Sequence, residues 1–150
     1  MGTITHHIKS PAIVLTTIFI GILVLYHYYI GMQEVLKFNH FCFWLQHAPI
    51  IKPWAAILGY LVPALQLALA GMLLLRKTRR CALTVIVVQH LVYFVWVGYV
   101  FYATPYLFWP WMAINNNWFY KFLEILTVAW MAFGCLRLFI KAHKSKVRLF

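Results

Sequence analysis

Four apolar stretches constrain this chain more than any other feature: about Pro11 to Gln33, Trp54 to Leu75, Ala82 to Ala103 and Trp118 to Ile140. A helix rising 1.5 Å per residue needs roughly 20 residues to cross a hydrocarbon core of about 30 Å, and each stretch meets that length. Inside lipid the backbone must satisfy its own hydrogen bonds, so each crossing segment is helical. With 65% apolar residues in 150, too little polar sequence remains for a soluble domain, whose apolar share is usually about half. The expected fold is an all-α membrane protein: one transmembrane domain, residues 1–150, folded as a four-helix bundle. The first stretch is expected to be a retained helix and not a secretory leader, because it exceeds the usual apolar region, lacks an A-x-A cleavage site and ends in bulky Tyr26, His27, Tyr28 and Tyr29.

The formal charge of +11 would suit nucleic acid, but the cations sit at the ends of apolar helices instead of forming a stripe among polar neighbours. No nucleic-acid partner is expected; the positive-inside rule accounts for the charge instead. Lys9, Arg76, Lys77, Arg79, Arg80, Arg137, Lys141, Lys144, Lys146 and Arg148 fall on one side, and Lys37, Lys52 and Lys121 on the other. Ten against three places both termini in the cytoplasm. Arg76, Lys77, Arg79 and Arg80 form a turn suited to anionic lipid headgroups, each worth about 1 kcal/mol near such a surface.

Between the first two helices, Phe38, Phe41, Trp44, Leu45 and Ala48 recur at spacings of three and four, which predicts a short amphipathic helix lying in the outer interface. Ala48-Pro49 ends it. The second membrane helix carries Pro63, which frees a carbonyl and predicts a kink, and Gly59, Ala64, Ala68 and Gly71 form a small-residue face for close packing. This helix is expected at the centre of the bundle. The outer connector TPYLFWPWMAINNN, residues 104–117, is uncharged and aromatic. Trp44, Tyr106, Phe108, Trp109 and Trp111 make its side of the molecule the expected surface for a protein partner.

Two carboxylates exist, Glu34 and Glu124, each three residues from a lysine, Lys37 and Lys121. Three apart on a helix, each pair faces one side, as a local ion pair near the outer boundary or as a cross-pairing of the first and last helices around a polar pocket. Gln66, Gln89 and His90 lie within apolar helices and need partners there; Tyr26 and His27 can line the same cavity. An interhelical hydrogen-bond network is one reading, and a pocket for a quinone headgroup is the other. Counted from the helix starts, His27 and His90 differ in depth by about 12 Å, which argues against a shared haem iron. His40 and His47 have too few companions for a metal site, and no metal is expected. Cys42, Cys81 and Cys135 form no C-x-x-C, and Cys42 falls on the opposite side from the other two, so apolar filling is their expected role. No nucleotide loop, nucleophile elbow or zinc-protease motif occurs. The chain shows no self-sufficient active site, and no cofactor is expected beyond the candidate quinone.

The stretch from Tyr29 to Arg80 resembles the DoxX and MauE group of small four-helix membrane proteins, notably its redox-associated bacterial branch. The resemblance rests on Glu34, Lys37 and Phe38 where that branch has K-x-x-D-F, and on Ala48, Pro49, Ile50 and Ile51 for S-P-L-L. It continues through Tyr60, Leu61, Val62, Pro63 and Gln66 for W-L-V-P-x-x-E, and Thr78, Arg79 and Arg80 for R-T-R-R. Two features depart from the pattern. The outer connector has no C-S-C-G-G element, so it lacks the attacking and resolving thiols that disulfide exchange needs. Gln66 replaces the acid of the second membrane helix and cannot ionise. The resemblance therefore implies a bacterial inner-membrane protein that serves as a non-catalytic subunit or assembly factor of a larger complex. A quinone-interacting electron-transfer subunit and a chaperone for membrane proteins are the alternatives it implies.

Overall fold

The computed structural model describes residues 11–48, 50–103 and 118–147, with side chains placed for most of them. All described secondary structure is helical: α1 (Pro11–Leu36), α2 (Phe38–His47), a single 3-10 turn (Lys52–Trp54), α3 (Ala55–Leu74), α4 (Arg79–Ala103) and α5 (Trp118–Val147). Within them lie four segments long and apolar enough to cross a membrane, Val14–Leu36, Lys52–Leu74, Arg79–Tyr99 and Phe122–Ile140.

Helix ends move from the expected positions for local reasons. α1 runs three residues further, through Glu34, because no breaker stands before Lys37 and the good helix formers there carry the ladder on. α4 begins at Arg79 instead of Ala82, since the preceding turn is closed by its own side chains. Thr78 Oγ1 donates to Met72 O at 2.8 Å, and Arg79 Nε donates to Leu73 O at 2.8 Å. These bonds satisfy carbonyls left open at the end of α3. α3 continues without interruption through Pro63. Ile50 takes φ 71, a left-handed backbone that a β-branched residue adopts only under strain, where the chain reverses between α2 and the 3-10 turn.

The four long helices close a ring in which α1 packs on α3, α3 on α4, α4 on α5 and α5 on α1. α1 therefore stands diagonally across from α4. The main apolar cluster joins Ile20 and Leu23 of α1, Leu69 and Leu73 of α3, Ala82, Leu83 and Ile86 of α4, and Val128, Ala132 and Cys135 of α5. Beginnings of α1 and α4 thus meet ends of α3 and α5, so successive long helices alternate in direction. The start of α1 and the end of α5 lie at the end of the bundle that carries Arg76 to Arg80. A second, smaller cluster of Ala48, Val97 and Ile125, flanked by Trp44, Ile51, Phe94 and Trp96, lies at the opposite end under α2.

The small-residue face expected on α3 does not do the packing. The buried stripe of α3 is Ala55, Gly59, Pro63, Gln66, Leu69, Ala70 and Leu73, whereas Ala64 and Ala68 are exposed and Gly71 has open space around it. The close approach is made by Gly31 of α1, where an added Cβ would lie 2.9 Å from Leu67 Cγ and 3.1 Å from Gln66 Cβ. Gly59 does serve a contact, but with Cys42 Sγ of α2, 2.7 Å from the position of an added Cβ.

Candidate functional site

Between the two apolar clusters the bundle interior turns polar. His27 is wholly buried, and Gln66 and His90 are nearly so. Each sits on the inward stripe of its own helix, and the ring of helices aims them at one another. His27 Nδ1 donates to Gln66 Oε1 at 2.5 Å, joining α1 to α3. His90 Nδ1 donates to Ile86 O at 2.9 Å, one turn back in α4. Tyr26 donates from its hydroxyl to Glu124 Oε1 at 2.8 Å, joining α1 to α5. The rings also gather. Tyr26 and His27 stand edge to face at 5.3 Å, His27 and His90 at 5.8 Å, and Tyr26 and His90 lie 6.3 Å apart. All four membrane helices contribute to this layer.

The meeting of His27 with His90 corrects the depth estimate drawn from the sequence. His90 stands eleven residues into α4, since the helix begins at Arg79, against eight counted from Ala82. The earlier start shrinks the separation inferred from residue counts, and the diagonal placement of α1 and α4 lets the two rings meet inside the bundle.

The hydrogen-bonding inventory of the layer is incomplete. With its proton on Nδ1, His27 keeps a lone pair on Nε2, which is buried without a partner. Gln89 Oε1 and Glu34 Oε2 are likewise buried and unpartnered. Buried acceptors in hydrocarbon carry a free-energy penalty, so such atoms mark where something else binds or where the fold tolerates a loss. Among the described residues, no group of three or more His, Cys, Asp or Glu side chains is arranged to hold a metal.

The remaining sequence candidates are scattered. Lys37 is exposed, and Glu34 is half-buried with its Oε2 buried and unpartnered. α1 and α5 are linked by Tyr26 and Glu124, not by the two Glu/Lys pairs as such; the side chain of Lys121 lies outside those described. Of the expected partner surface, Tyr106, Phe108, Trp109 and Trp111 lie outside the described residues. Trp44 is half-buried against the second cluster, with Nε1 donating to His40 Nε2 at 2.6 Å. In the basic turn Arg76, Lys77 and Arg80 are exposed, but Arg79 is held against the end of α3, so three of the four cations face outward. Cys42, Cys81 and Cys135 are free thiols on three different helices.

Sequence reasoning did not find Gly31 or the bond from Tyr26 to Glu124. The signal for Gly31 was its place on the stripe Ile20, Leu23, His27, Gly31, at helical spacing with one small member.

The family model for the methylamine utilisation protein MauE matches residues 9–108. The match spans α1 to α4 and takes in every polar-layer residue named above except Glu124. No curated protein and no solved structure matches the chain. A match over that length, on a four-helix bundle of membrane-spanning segments, shows that the chain belongs to the MauE family.

Proposed function

We propose that this chain is a non-catalytic membrane subunit or assembly factor of a larger bacterial inner-membrane complex, serving methylamine utilisation or a related oxidative system. The orientation we assign puts the basic turn and both termini in the cytoplasm. The observation carrying this reading is the buried bond between His27 and Gln66. An amide cannot ionise, so at that position the chain links two helices and has no acid to donate or accept protons. The thiols support the same conclusion. Disulfide exchange needs two cooperating sulfurs, and the three cysteines here are free, on separate helices. A member of this family without its own dithiol, and with an amide in place of the acid at position 66, acts by holding or presenting another protein. Purification from the native membrane in mild detergent tests this: a partner is expected in constant ratio through successive columns. A monodisperse monomer with no companion would refute it.

A quinone-interacting electron-transfer role is the second reading, favoured by the buried, unpartnered His27 Nε2 beside the ring of Tyr26 and by the buried, unpartnered Gln89 Oε1. Quinone retained on purification of the wild type and lost from Gln66→Leu would support it. Quinone-free protein from quinone-rich membranes would oppose it.

A further inference from the structure

His27 and His90 are held alike although they stand on different helices. Each ties Nδ1 to a protein oxygen, His27 to Gln66 Oε1 on α3 and His90 to Ile86 O one turn back in α4. An amide or peptide oxygen can only accept, so in both rings the proton sits on Nδ1 and the lone pair on Nε2. His27 is wholly buried and its Nε2 has no partner. Metal-binding histidines are held in this way, with one ring nitrogen on an oxygen that fixes tautomer and orientation and the other turned to the ion. The two rings stand at 88° to each other with centres 5.8 Å apart. Two imidazoles bound in line through one ion, with metal–nitrogen bonds of roughly 2 Å, put their centres about 6 Å apart.

The number of donors selects the ion. Zinc asks for three or four protein ligands, and among the described residues no group of three or more His, Cys, Asp or Glu supplies them. Cuprous copper is satisfied by two nitrogens in line, and imidazole suits copper. Its single charge is also easier to hold in an apolar interior than a double one. Haem iron takes two histidines as well. Here, however, the Tyr26 ring lies 5.3 Å from that of His27 and 6.3 Å from that of His90, standing against both where a porphyrin would have to spread.

We infer that His27 and His90 together bind one cuprous ion through Nε2, with Gln66 as the positioning residue that holds the His27 ring. This inference is independent of the assembly reading, since a subunit of a complex can lack copper and a copper-binding chain can act alone.

Silver(I), which prefers the same linear geometry and does not change oxidation state, is the probe. It is added to the full chain in nanodiscs with isotope-labelled histidine nitrogens. Nuclear magnetic resonance is expected to show Nε2 of His27 and Nε2 of His90 coupled to one silver nucleus. Gln66→Leu is expected to weaken that binding about tenfold or more, with helicity unchanged, whereas Gln66→Glu, which keeps an oxygen for the ring N–H, retains it. Silver found only on cysteines or on other histidines, or no bound silver, overturns the proposal. Wild-type affinity in Gln66→Leu overturns the positioning role. The labelled wild-type chain decides the copper site alone if a variant does not fold.

Discussion

At the scale of single residues, the bundle is keyed by a few polar groups whose partners lie on other helices. Gln66→Leu strips the acceptor from His27 Nδ1 and leaves a buried donor unpaired, so stability in detergent falls by about 1 kcal/mol. His27→Leu combined with Gln66→Leu removes both polar groups and recovers most of that loss. Denaturant titration of the two variants measures the difference, and equal losses would mean the bond contributes nothing. Ile50, at φ 71 and exposed, is strained without a compensating contact. Ile50→Gly is expected to raise the unfolding midpoint, by an amount corresponding to about 1 kcal/mol. That Gln66, Gln89 and His90 need partners is legible in sequence, since polar groups in apolar helices always do. Which partners they find is not. His27 reaches Gln66 and lies beside His90 only because of how the helices rotate about their axes, and residue counts carry no information on rotation.

The helices show the same division. Four membrane segments and the short α2 follow from length and periodicity, and all five helices are present, although α5 runs seven residues past the expected Ile140 to Val147. Close packing was harder to place. Small residues at regular spacing on α3 suggested a contact face, but Ala64, Ala68 and Gly71 lie off its buried stripe. Only tertiary contacts reveal that Gly31 admits α3 to α1. Gly31→Val should therefore force the side chains of Leu67 and Gln66 away, lowering stability by about 1–3 kcal/mol, whereas Gly71→Val should change it little. Thermal unfolding of the two variants side by side decides the matter; a Gly71 effect as large as that at Gly31 would contradict the packing described. The basic turn divides in a similar way. Arg79→Ala frees carbonyls at the end of α3 and is expected to destabilise the protein by about 1 kcal/mol. Arg76→Ala, altering an exposed side chain, should leave stability unchanged and reduce only retention on anionic vesicles. Sequence shows four equivalent cations, and the fold assigns one of them to a helix end.

For the whole molecule, the ring of helices places a polar layer between two apolar clusters, and every membrane helix has a part in holding it. The bundle is organised around contacts among its own helices, with no paired thiols among the described residues and no ionisable group at position 66. That a MauE-family chain so equipped works through what it holds is the proposal at the centre of the account. Native mass spectrometry of complexes released directly from the source membrane tests it most directly. The account predicts this 17.7 kDa chain in a discrete assembly with at least one different protein, at fixed stoichiometry. Release of the chain as a free monomer, across detergents mild enough to preserve other complexes in the same membrane, would contradict it.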